Sequence, residues 1–289
     1  MSVSNRELDQ PFLGVLFASF RLVDVVALCA VPVALVAVFL LPMELRRAYL
    51  FSYGAPTPVT AFTANYIHLE IGHLLSNVGG YLLIVPVTYL LSALSGHRKR
   101  FYVAFVTFLL AFPVALSYLN LAIERPGLAV GFSGVLMAFV GFLPLAVTGY
   151  LQTYFDLDDA LDASSALFFV GLALIATVSV NSFETYGLAV ASLLAATLYA
   201  LSVTENRDAF LPNVKAASGV AGHFELASLG LFLTLLVPLA AFPGPSVTTG
   251  VVNLYVHLLG YALGFIATYL TVQVADSISV NDGTTVAAR

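Results

Sequence analysis

Gly131-Phe132-Ser133-Gly134 heads an apolar run that reaches about Tyr150. A serine hydroxyl is a weak nucleophile until a positioned base takes its proton, and a histidine can do that near neutral pH. Two other apolar segments of the chain carry histidine: one holds His73, with Asn77 four residues on, and another holds His257. Spacing of four puts His73 and Asn77 on one helical face. An oxyanion formed by attack of the serine needs fixed donors, each worth about 2.7–4 kcal/mol. The Asn77 side-chain NH2 and the backbone N–H of Ser133, among the unpaired donors of a helix start, are of that kind. Ser133, His73, Asn77 and His257 are therefore the candidates for acyl-transfer chemistry.

Glycines fix how closely their helices can approach. Gly260 and Gly264 form a small-xxx-small face with His257 three residues before it, and Gly134 with Ala138 forms a similar face after Ser133. Two such faces let helix backbones come together, as the short reach of a serine side chain requires. Gly131 is assigned with Gly134 to this packing role.

The elements carrying these residues follow from composition. The chain of 289 residues is 60% hydrophobic and 9% charged, where a soluble domain carries about 25% charged residues. It reads as an all-α, polytopic transmembrane helix bundle with the lipid bilayer as its solvent. A net charge of −5 and the lack of a long basic stretch exclude nucleic acid as a partner. The single Cys29 lies in an apolar run, so no disulfide framework exists, and it reads as a buried thiol.

Eight spans are expected, at about 23–43, 68–93, 101–121, 131–150, two within 164–204, 224–242 and 250–274. The stretch 164–204 needs two helices, because 41 residues of helix would measure about 60 Å, roughly twice the hydrocarbon core. Asn181 to Thr185 supplies the turn between them. The first span is too long for a signal-peptide core and reads as retained. Residues 1–22 form a cytoplasmic arm, 23–274 the transmembrane domain, and 275–289 a disordered tail.

An even count puts both termini on one side. If that side is cytoplasmic, the inner segments hold Arg6, Arg21, Arg98, Lys99, Arg100, Arg207, Lys215 and Arg289, and the outer ones only Arg46, Arg47 and Arg125. That asymmetry satisfies the positive-inside rule. The chain is thus a multi-pass protein of the cell membrane. The helices of His73, Ser133 and His257 then all enter from the outer face, with the four candidate side chains at similar depth.

Other chemistries fit less well. His68 and His73 are five apart, and Glu70 is misplaced for the helical zinc motif, so no metal or cofactor is expected. Both lysines, Lys99 and Lys215, fall in loops and leave no Ser–Lys dyad. Glu70 reads as interfacial and solvated, and His68 as a structural residue at the membrane–water boundary.

His68-x4-His73-x3-Asn77, Gly131-x-Ser133-Gly134 and His257-x2-Gly260-x3-Gly264 together resemble the signatures of the rhomboid intramembrane serine proteases, over roughly residues 45–150 and 250–274. The resemblance implies a six-helix core, here with two extra spans, and a Ser133–His257 dyad without a third acid. It implies an oxyanion pocket of His73, Asn77 and the Ser133 amide. It further implies single-pass membrane proteins as substrates, cut near the outer face after lateral access beside spans two and five.

Three features depart from the family pattern. Three spans rather than one separate the serine and histidine helices. Met137 stands where an aromatic residue usually stacks on the histidine, which leaves Tyr255, Tyr261 or nothing to orient His257. The first connector holds Arg46-Arg47 and no Trp. The expected activity is that of an intramembrane serine endopeptidase. The alternatives are a catalytically silent relative that binds transmembrane clients and, less well supported, a small-solute transporter.

Overall fold

The computed structural model describes residues 12–19, 21–123, 128–179, 182–203, 221–242 and 253–286. Several features of the sequence reading lie outside them: Arg6, Glu7 and Asp9 of the arm, the turns at 124–127 and 243–245, Asn181, and the polar loop across 204–220.

In chain order the helices are α1 (Phe12–Ser19), α2 (Leu22–Phe39), α3 (Met43–Ala48), α4 (Pro58–Thr63), α5 (Ile71–Leu94), α6 (Arg98–Leu110), α7 (Phe112–Leu119), α8 (Ser133–Phe155), α9 (Ala160–Ser179), α10 (Phe183–Val203), α11 (His223–Ala241) and α12 (Leu254–Val286). Seven of them are each long and apolar enough to cross a membrane: α2, α5, α8, α9, α10, α11 and the Leu254–Val274 part of α12. The pair α6–α7 passes the same test together, bent by 51°, and brings the number to as many as eight. Each coincides within a few residues with an expected span, so the protein is an all-α, multi-pass membrane bundle. The bend has a local cause. Pro113 lies in the first turn of α7, where it has no N–H to continue the ladder from α6.

α8 is the axis of the bundle. Every residue from 134 to 150 is buried, and α5, α6, α7, α9, α11 and α12 pack around it. α2 packs outside this body on α5, and α10 outside it on α9. The two outer helices present long apolar side chains outward, Val26 and Val33 on α2 and Leu194 and Leu198 on α10. Among the described residues of α2, Cys29 is exposed rather than buried as expected. A peripheral span buries little of its surface, and Cys29 lies on the outer part.

One polar group on α2 is an exception. Asp24, 2% exposed, accepts the Tyr89 hydroxyl at 2.5 Å and the Tyr102 hydroxyl, and pairs with Arg98 Nη1 at 3.1 Å. A buried carboxylate is tolerated only when its lone pairs are met in this way. The cluster ties the first span to α5 and α6.

Two expectations about the termini change. The arm is helical over Phe12–Ser19, and Phe12 packs edge-on against His223 at 5.1 Å between ring centroids. The backbone of α12 stays helical to Val286, so residues from 275 expected as a disordered tail continue the last helix that far. Extending an existing helix requires no new nucleus.

The connector before α5 is also ordered. β1 (Phe51–Ser52) pairs antiparallel with β2 (Leu128–Ala129), and the Gly131 N–H donates to the Ala64 carbonyl at 3.0 Å. Asn65 Nδ2 reaches the carbonyls of Ala61 and Pro113 at 2.8 and 3.1 Å. These bonds fasten the connector to α7 and to the loop that leads into Ser133.

Candidate active site

Ser133 is the first residue of α8. Its N–H therefore has no carbonyl four residues back within the helix. What lies beside it is set by the packing of α8 on α12. A Cβ placed on Gly260 would sit 2.1 Å from the Gly134 carbonyl oxygen, one on Gly264 would sit 2.3 Å from the Ala138 oxygen, and one on Gly134 would sit 2.7 Å from Val256 Cγ1. Gly141 adds a fourth such contact, 2.1 Å from the Tyr261 oxygen. Contacts advance along both helices in the same sense, so α8 and α12 run parallel and their starts are at one end. Gly134, Gly260 and Gly264 thus lie where α8 and α12 approach most closely.

Gly131 has a different role. It precedes the helix, at φ +104°, and a Cβ there would fall 2.3 Å from His73 Cε1 and 2.7 Å from Nε2. The missing side chain makes the seat on which the His73 ring rests, two residues from Ser133. A positive φ of this kind also favours glycine.

His257 is 8% exposed. Its Nδ1–H donates to the Ala241 carbonyl oxygen, at 3.0 Å, at the end of α11. A carbonyl can only accept, so the proton is on Nδ1 and Nε2 keeps its lone pair. Phe242 meets the ring edge-on, 5.8 Å between centroids and 83° between planes. These two partners orient His257. Tyr261 does not, since its hydroxyl donates to the Phe168 carbonyl at 3.0 Å and its ring stacks on Phe168. Among the described residues no hydrogen bond joins Ser133 Oγ to His257. Nucleophile–base contacts are often long before substrate binds.

His68, expected as a structural residue at the membrane–water boundary, lies just before α5 and is fully buried in the protein. Asn77 Nδ2 donates to its Nε2 at 2.8 Å, and the Phe132 N–H approaches the same atom at 3.5 Å. Its ring meets His73 edge-on at 5.0 Å. Arg46, 8% exposed, donates from Nη1 to the His68 carbonyl at 2.6 Å and from Nε to the Leu41 carbonyl at 3.1 Å. His68 therefore uses one hydrogen of the Asn77 amide, fixes where that side chain points, and leaves the second hydrogen for another acceptor. Spacings of five to His73 and nine to Asn77 were the signal for this. The Ala241 carbonyl had no signal, because any residue type could supply it. Glu70 is exposed, as expected.

Burial lowers the pKa of His68 from 6.5 to about 4, with the neighbouring His73 acting in the same direction. A neutral ring is what the Asn77 bond requires. The unfolded chain binds a proton below pH 6.5 that the folded chain refuses until about pH 4, so this contribution to stability is complete above 6.5 and is lost as pH falls through that window. At roughly 1.4 kcal/mol per pH unit the window amounts to roughly 3 kcal/mol. Thermal unfolding of the detergent-solubilised protein across pH 4–7 checks this, and His68→Gln is expected to reduce the slope.

Of the five histidines, His68, His73 and His257 gather at the Ser133 end. Among the described residues no three His, Cys, Asp or Glu side chains converge as a metal site. His223 is at the opposite end, with Nδ1 2.6 Å from the Tyr150 hydroxyl. α11, the seventh span, packs beside α5, whereas α9, the fifth, packs on α8, α10 and α11.

The molecule is thus a polytopic helix bundle whose central helix begins at a serine, with histidine and asparagine side chains gathered around that end. Comparison of the chain with models of protein families, with curated proteins and with solved structures gives no match.

Proposed function

We propose that the protein is an intramembrane serine endopeptidase in which His257 takes the proton of Ser133, Ser133 attacks a substrate carbonyl, and water hydrolyses the acyl-enzyme. The observation that carries this reading is the state of His257. Its Nδ1–H is spent on Ala241, so a basic Nε2 is left on a helix locked by glycine contacts against the one that Ser133 begins. His73 over Gly131, the second Asn77 hydrogen and the Ser133 N–H are the donors for the oxyanion. Substrates are single-pass membrane proteins cut near the outer face, and their helix approaches between α5 and α11.

A fluorophosphonate probe, which reacts with activated serines, is expected to label the wild type covalently at Ser133. Labelling should disappear in Ser133→Ala and in His257→Ala. One observation favours a second reading, a catalytically silent protein that binds transmembrane clients: the Ser133 hydroxyl is not bonded to His257. Absence of labelling on folded wild type would select that reading.

A further inference from the structure

Asn120 has no exposed surface and sits in a single tight turn, Asn120–Ala122, that follows α7. Among the described residues its side chain makes one hydrogen bond, from Nδ2 to the Tyr53 hydroxyl at 2.6 Å. A buried amide costs free energy that only its hydrogen bonds offset, and here the bond made holds a phenol in place. Tyr53 follows β1 directly, and its ring meets Phe51 edge-on at 5.9 Å. Phe51 pairs with Ala129 in the two-stranded ladder. Tyr53 therefore rides on the strand pair that leads into Ser133.

The same hydroxyl receives a second donor from 200 residues further along, Asn253 Nδ2 at 3.4 Å. Asn253 stands immediately before α12. Its Oδ1 accepts the Val256 N–H at 3.2 Å, and its carbonyl accepts the His257 N–H at 3.2 Å. This is an N-cap, in which the side-chain oxygen takes up a donor that the helix itself leaves unpaired. Tyr53 thus bridges the strand pair before Ser133 and the cap of the helix that carries His257. Ala241 and Phe242 orient the imidazole ring, and the glycine contacts bring α12 against α8. The Tyr53–Asn253 bond adds a third hold, from the connector, at the start of the helix.

We propose that Tyr53 is a positioning residue for His257, an inference that rests on the serine endopeptidase reading. Its hydroxyl, held by Asn120, anchors the cap of α12 to the strand pair before Ser133 and so sets where the imidazole stands relative to the serine. Tyr53 acts through Asn253 and touches no substrate. Removing the hydroxyl leaves the ring packed on Phe51 and the cap in place, but frees the first turn of α12 to shift. A displacement of about 1 Å in a reacting group costs about 10²-fold, so a partial loosening is expected to cost about tenfold.

The test compares Tyr53→Phe, Asn253→Ser and the double variant with wild type, as full chains in proteoliposomes. Serine keeps a capping oxygen but is too short to reach Tyr53. Each single variant should lower kcat for a single-pass reporter about tenfold with KM unchanged, and slow fluorophosphonate labelling by the same factor. The double variant should be no slower than either single one, because both changes break the same bond. Tyr118→Phe is the control, since its ring also meets Phe51 and its hydroxyl makes no hydrogen bond among the described residues. Amide hydrogen exchange over the first turn of α12 is read in parallel and needs no activity. It should rise about fivefold in Tyr53→Phe, the equivalent of one hydrogen bond, and stay at the wild-type rate in Tyr118→Phe. Unchanged exchange overturns the tie between Tyr53 and α12. Faster exchange with wild-type kcat, or losses that add in the double variant, overturns the positioning role. Absence of labelling in folded wild type overturns the peptidase reading, while exchange still decides the tie.

Discussion

Gly260→Ala is expected to lower cleavage of a single-pass reporter in proteoliposomes about 100-fold or more, the scale of loss for a reacting group displaced by about 1 Å. The new methyl would fall 2.1 Å from the Gly134 carbonyl oxygen and 3.0 Å from Met137 Cβ. Backbone cannot swing aside as a side-chain tip can, so α8 and α12 must separate or slide. Overpacking of this kind costs about 1–3 kcal/mol, which a bundle held by the other α8 contacts can bear. The chain should remain in the membrane with normal helicity and yet react slowly with a fluorophosphonate. Gly187→Ala is the matched control, because a Cβ on α10 at that position meets nothing within 4 Å. Wild-type labelling by Gly260→Ala would show that the close approach of the two helices is not what aligns the pair.

Asn77→Ala should lower kcat by about 10²–10³ with little change in KM, the signature of a donor used on the oxyanion. It should also destabilise the protein by about 1–3 kcal/mol, because His68 Nε2 would keep only the long approach of the Phe132 N–H within a buried site. The two effects are separable. Unfolding in detergent reports the orphaned imidazole, and single-turnover cleavage reports the oxyanion. A variant that is destabilised but turns over at the wild-type rate would leave Asn77 as a support for His68 alone.

The sequence was most legible where geometry forces a residue type. Gly260, Gly264 and Gly134 stood out because two backbones cannot come so close with a side chain between them. The spans were legible because apolar length is nearly all that a bilayer asks of a helix. His68 and Arg46 were harder. They lie in a connector without periodicity, and a buried cation or imidazole there is recognisable only once the carbonyls and amides around it are in place. The partner of His257 was not legible at all, since a main-chain oxygen sixteen residues away is not encoded by any particular side chain. Pro113 could have disclosed the bend in the third span, as the first residue unable to extend its ladder. Asp24 is a lone acid in an apolar run, which does not reveal what it binds. Its partners Tyr89 and Tyr102 come from 65 and 78 residues further along.

The encirclement of α8 has a consequence for biogenesis. Ribosomes deliver a chain from its N-terminus at about 5–20 residues per second, so α8 reaches the bilayer while α9, α11 and α12 are still unmade. For some seconds the helix that ends up wholly enclosed must present one flank to lipid, which its glycines and Thr148 can do at small cost because they carry no charge. Only when α12 arrives does that flank close and His257 come to the end of the bundle where α8 begins. On the proposed function, no cleavage can begin before α12 has been made.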